Sequence, residues 1–155
     1  MVNNMFLKKI HPALWQCHKN PPKQFYLLFN TKIPAGFPSP ADDYIDQSLD
    51  LNEHLVWRPS ATFFLRVEGE SMINVGMHPN DIIIVDRSIK AISGSVVVAA
   101  IDGQFTVKIL EKADGKIYLN PANPNFSKIT IEENMELIIW GVVTNVIHSF
   151  MRRKI

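Results

Sequence analysis

The chain predicts a mostly β domain preceded by an extended, proline-broken arm. Three observations carry this. After Thr62, short apolar runs rich in Val and Ile recur, each bounded by turn residues. Two of these runs are separated only by Asp102-Gly103, a dipeptide whose residues both accept positive φ and which therefore signals a two-residue hairpin. No stretch of this region repeats its apolar residues at a helical period.

Taken in order, residues 1–33 scatter Lys8, Lys9, Lys19, Lys23 and Lys32 among Phe6, Leu14, Trp15, Phe25, Tyr26 and Phe29. Pro12, Pro21 and Pro22 break any long helix there. This part reads as a mobile arm with a local extended piece at Gln24–Phe29. Residues 34–60 stay turn-rich, with Pro34, Pro38, Pro40 and Pro59 and the acids Asp42, Asp43, Asp46 and Asp50. The β runs follow at Thr62–Val67, Asp81–Asp86, Ser95–Ile101, Gln104–Leu110 and Leu137–Ile147. Gly69, Gly76, Pro79-Asn80, Ser93-Gly94 and Asp114-Gly115 mark turns between them. Many short strands at this spacing indicate a sandwich or partly closed barrel.

Composition excludes several classes. The chain has 155 residues, 46% of them hydrophobic, enough for one domain with extra segments at its ends. Lys and Arg total 16 against 15 Asp and Glu, and this near-neutral balance argues against a broad nucleic-acid face. Cys17 is the single cysteine, so no internal disulfide forms, which fits a reducing compartment. The longest nearly apolar run of the N-terminal part, Phe25–Phe29, is shorter than a signal-peptide core or a membrane span. A cytoplasmic protein without a membrane anchor is expected.

His11, His18, His54, His78 and His148 nowhere pair at ligand spacing along the chain, and Cys17 stands alone. No metal site is expected on that basis, and no glycine-rich phosphate loop or other cofactor motif is present. Asp81 and Asp86 read as turn caps.

One constellation points to chemistry. Gly69-Glu70-Ser71-Met72 places a serine after a β run and a glycine turn, clear of the sheet, with backbone N–H groups beside it that could hold an oxyanion. Phe105-Thr106-Val107-Lys108 places a lysine on the second arm of the Asp102-Gly103 hairpin, between apolar neighbours. Apolar surroundings disfavour the charged amine and lower its pKa, and a neutral lysine can take a serine's proton. Set against this, a Gly-x-Ser turn is commonly structural, and a strand lysine is commonly solvated or guards an edge.

The segments PAGFPSPADDY, PSATFFLRVEGESM, DIIIVDRS, GSVVVAAIDGQFTVKIL, NPANPNFSKITI and IIWGVVTNVI resemble, in order, the LexA/UmuD family of self-cleaving Ser–Lys peptidases, and within it the UmuD branch of SOS mutagenesis proteins. The likeness spans residues 34 to 147. The small-Gly dipeptide, the x-Ser-Met turn and the Phe-Thr-Val-Lys strand are separate marks of it, with Lys108 37 residues after Ser71 and Ser71 35 after Gly36.

The resemblance implies a LexA/signal-peptidase-like catalytic β domain at 61–155, a tether at 36–60 and an arm at 1–35 that self-cleavage removes. It implies Ser71 as nucleophile, Lys108 as general base and Ala35-Gly36 as the scissile pair. The backbone N–H groups of Glu70 and Ser71 are the expected oxyanion hole. It further implies a homodimer, stimulation by a RecA-type filament on single-stranded DNA, and an error-prone Y-family DNA polymerase as partner of the shortened chain. A repressor of the LexA kind needs a winged helix-turn-helix before the cut, and the 35 proline-broken residues here do not supply one, so no sequence-specific DNA binding is expected. The competing expectation is a non-catalytic dimeric polymerase-binding module of the same fold. The chain departs from the family at Pro79-Asn80-Asp81, where a Gly-Asp turn is usual, and in the length of its arm.

Overall fold

The computed structural model describes residues 15–16, 22–29, 35–36 and 45–151. Most of the arm, and with it the expectation that it is mobile, lies outside the described residues. The described part is mostly β. An eight-stranded sheet runs in the order β1 (Trp15–Gln16), β4 (Thr62–Arg66), β5 (Ile82–Asp86), β10 (Leu137–Ile147), β6 (Val96–Ile101), β7 (Gln104–Ala113), β8 (Lys116–Asn120) and β9 (Ile129–Ile131). A separate two-stranded sheet joins β2 (Phe25–Phe29) to β3 (Ile45–Asp50).

The turns form where the sequence places them. Asp102 (φ 48°) and Gly103 (φ 81°) both take the left-handed conformation and close the β6–β7 hairpin, pairing Ile101 with Gln104. Asp114 (φ 51°) and Gly115 (φ 73°) repeat the device between β7 and β8. Asn80 takes φ 73°, a conformation asparagine tolerates better than most residues. Pro79-Asn80-Asp81 therefore forms a turn, as the sequence signals.

Alternation along the strands builds a core on each side of the large sheet. On β6, Val98 enters a cluster with Phe63, Val67, Met72, Met77, Ile83, Val85 and Trp140, while Val97 and Ala99 face a second cluster with Leu110, Leu119 and Val142. Each Val, Leu, Ile, Phe or Met among them contributes about 1.5–3 kcal/mol when fully buried. Two register shifts in β10, at Ile139/Gly141 against β6 and at Val143/Asn145 against β5, adapt this long strand to both neighbours. Gly141 is sterically required: a Cβ there would lie 2.6 Å from Val85 Cγ1 and 3.2 Å from the Asp86 carbonyl oxygen. Trp140 beside it is core, 6% exposed, with its ring edge-on to Phe63 at 5.0 Å.

Some elements went unread. The 36–60 stretch carries β3 and a short helix, α1 (Leu51–Leu55), capped by Asp50, whose carboxylate accepts the Asn52 N–H at 2.8 Å. β3 is polar in composition and forms by pairing with β2, and its strand character comes from that partner. β8 and β9 hold strand-favouring residues (Ile117, Tyr118, Ile129, Thr130, Ile131), but they are short and went unread without the neighbours they pair with. Phe25 is 62% exposed, so it does not cover the large sheet as an apolar arm residue could.

Candidate active site

β4 ends at Arg66, and the chain then loops from Val67 to Asp81 before entering β5. The loop is closed at its base by two backbone hydrogen bonds, Val67 N–H to the Asp81 carbonyl and Asn80 N–H to the Val67 carbonyl, both 2.9 Å. Ser71 sits on this loop, two residues after Gly69, whose φ of 78° turns the backbone away from the sheet. A second loop, after β8, holds the serine turn in place. Ala122 N–H donates to the Ser71 carbonyl (2.8 Å), Asn74 N–H to the Ala122 carbonyl (2.9 Å), and Asn123 Nδ2 to the Glu70 carbonyl (2.9 Å). The buried anchors Met72 and Met77 fix the loop to the core from below.

Lys108 comes from the middle of β7, opposite Val97. Its side chain turns inward, and the residue is 8% exposed. The Nζ lies 2.8 Å from Ser71 Oγ, 3.1 Å from Thr106 Oγ1 and 3.0 Å from the Val107 carbonyl oxygen. Among the described residues no carboxylate forms a salt bridge with it. Burial without a countercharge pushes its pKa below 10.5. The three partners match the needs of a neutral amine. Two N–H groups donate to Thr106 Oγ1 and the Val107 carbonyl, which leaves the lone pair to accept the Ser71 hydroxyl proton.

With Lys108 buried behind it, Ser71 lines a cleft of about 310 Å³ whose walls include Leu65, Val67, Gly69, Phe105, Val107 and Trp140. Extended backbone and apolar side chains make it suited to a peptide segment with small side chains. Among the described residues the N–H groups of Glu70 and Ser71 meet no hydrogen-bond acceptor, so they are free to donate. Thr106, which the sequence reading left without a role, is the residue it missed; its place two positions before a strand lysine, on the same face, was the available signal.

The remaining expected residues are placed differently. Ala35 and Gly36 form an exposed bend, and a Cβ on Gly36 would meet nothing within 4 Å. No described contact joins them to Ser71 or Lys108. Asp81 and Asp86 do cap turns, accepting the N–H groups of His78 (2.8 Å) and Ser88 (2.7 Å). The fold also gathers His78, Asp81 and His148, which spacing along the chain had kept apart. No helix among the described residues is long and apolar enough to cross a membrane.

Comparison with known proteins identifies the family. The family model described as Peptidase S24-like matches residues 27–144. Protein SamA of Salmonella typhimurium is 47% identical over 122 residues, covering 79% of this chain and 84% of SamA. Protein MucA of Escherichia coli is 48% identical over 122 residues, 78% of this chain and 81% of MucA. The LexA repressor of Shewanella piezotolerans is 35% identical over 119 residues, 76% of this chain and 57% of that repressor. The chain thus belongs to the Peptidase S24-like family, in the UmuD branch that its motifs resemble.

Proposed function

We propose that the protein is a latent serine peptidase that cuts its own Ala35–Gly36 bond. Lys108, in its neutral form, takes the Ser71 proton. Ser71 Oγ attacks the Ala35 carbonyl carbon, and the N–H groups of Glu70 and Ser71 hold the oxyanion. The Gly36 amine leaves with a proton returned by Lys108, and water then releases Ala35 from the acyl-serine. The observation that carries this reading is the 2.8 Å hydrogen bond between the buried Lys108 Nζ and the Oγ of Ser71, a residue that lines a peptide-sized cleft.

The bond to be cut lies on the same chain, so its effective concentration is high and a dyad without histidine suffices. Its exposed position is that of a substrate segment outside the cleft, which fits a latent enzyme. The trigger in this reading is a RecA-type filament formed on single-stranded DNA after DNA damage, as part of the SOS response. The product, residues 36–155, acts as a homodimeric accessory subunit of an error-prone Y-family polymerase in translesion synthesis, in the cytoplasm. The exposed Phe150 (94%) at the end of β10 is available for a dimer contact, whereas Trp140 is committed to the core. The second reading, a polymerase-binding module without catalysis, gains support only if the dyad is dispensable.

Incubation of the full-length protein with such a filament, followed by mass analysis, tests the reading. Wild type yields a fragment beginning at Gly36, and Ser71→Ala yields none. A chain beginning at Gly36 and carrying Ser71→Ala still supports polymerase function if the peptidase is only a switch. Equal cleavage in wild type and Ser71→Ala would overturn the assignment.

A further inference from the structure

The loop that carries Ser71 ends in His78-Pro79-Asn80-Asp81, and the chain leaves β10 through His148, 67 residues beyond Asp81. The sheet pairing of β5 with β10 brings these three side chains together. Their donor atoms all lie within 4.8 Å of one another. His148 Nδ1 is 2.6 Å from Asp81 Oδ1, and His78 Nδ1 is 3.7 Å from Asp81 Oδ2. The second distance is too long for a hydrogen bond. His78 Nδ1 is buried and has no hydrogen-bond partner among the described residues, which is an uncompensated desolvation unless something else binds it. The two rings stand 4.9 Å apart, tilted by 49°, with both Nδ1 atoms turned toward the same carboxylate.

We propose that His78, Asp81 and His148 form a three-ligand site for a borderline divalent ion of the Zn²⁺ type, with a fourth position open to water. A tetrahedral ion with bonds of about 2.1 Å sets its donors roughly 3.4 Å apart. The observed separations are 2.6 Å to Asp81 Oδ1 and 3.7 Å to Oδ2, and the three donor atoms all lie within 4.8 Å of one another, so rotations of the carboxylate and the two rings bring one oxygen and both Nδ1 atoms to that spacing. Two imidazoles and one carboxylate suit Zn²⁺, Co²⁺ or Ni²⁺, whereas Mg²⁺ and Ca²⁺ call for all-oxygen shells. The Asp81 side chain is 3% exposed and is already oriented by the His78 N–H, which acts as the outer hydrogen bond that such a ligand requires. Bound there, the ion would tie the base of the Ser71 loop to the end of β10.

The test is titration of the full-length protein with ZnCl₂ by calorimetry and with CoCl₂ by visible absorption, alongside thermal melts. Wild type is expected to bind one ion, to show the d–d bands of four-coordinate Co²⁺, and to melt several degrees higher with Zn²⁺. His148→Ala and, independently, His78→Gln should lose all three responses while keeping the wild-type circular dichroism spectrum. Both side chains are partly exposed, and the two variants together guard against misfolding of either one. A Cys17→Ser/His18→Ala variant should keep them. Absence of binding by wild type, or binding that follows Cys17 and His18 and ignores His148, would overturn the proposal.

Discussion

The dyad makes a specific demand on pH. Lys108 works as a base only when neutral, and burial holds its pKa below 10.5. Below that folded pKa the self-cleavage rate should rise about tenfold per pH unit, and above it the rate should level off, before the 10.5 of a free lysine is reached. The same shift has a stability consequence of definite sign. Between the depressed folded pKa and the unfolded value, the unfolded chain binds more protons than the folded one. Lys108 therefore carries a desolvation penalty that is full below the folded pKa and is relieved as pH rises through that window, so stability increases with pH there. Removing the base should cost on the order of 10²–10⁴ in rate, or about 2.7–5.4 kcal/mol of barrier. The assay is the fraction of intact chain against time, from about pH 7 to about pH 10, for wild type and Lys108→Ala. A flat profile for wild type, or a Lys108→Ala profile that still climbs, would refute the role of Lys108.

Three further substitutions probe the same geometry. Thr106→Val removes an acceptor that favours the ammonium at 3.1 Å, so the rate profile should move to lower pH; an unmoved profile would show that Thr106 does not tune the amine. Asn123→Ala removes the 2.9 Å hydrogen bond to the Glu70 carbonyl and loosens the serine turn, with an expected loss in cleavage rate of roughly ten- to a hundredfold and a modest fall in thermal midpoint. Gly141→Ala drives a methyl group to 2.6 Å from Val85 and 3.2 Å from backbone, and should destabilise the fold by about 1–3 kcal/mol in urea unfolding.

Much of this was legible in the residues. The β runs from Thr62 to Ile147 alternate or run apolar because they are buried by neighbours on both sides, and such patterns survive in one dimension. Asp102-Gly103 announced its hairpin because only a few residue types accept the backbone it needs. Ser71 and Lys108 were readable as a glycine-turn serine and an apolar-flanked lysine, and their resemblance to a known family supplied the pairing that spacing alone does not. What stayed hidden depends on partners in space. β3 has no strand propensity of its own and exists because β2 pairs with it. His148 and Asp81 are far apart in sequence and meet only through the β5–β10 ladder. Trp140 could have served a surface or the core, and the register shift at Gly141 decides for the core.

The most direct measurement is intact-mass analysis of the purified full-length chain held at about pH 7 and at about pH 10, for wild type, Ser71→Ala and Lys108→Ala. The account predicts a fragment beginning at Gly36 that accumulates faster at the higher pH in wild type and is absent from both variants. No fragment under either condition, even with a RecA-type filament added, or the same fragment from all three proteins, would contradict it.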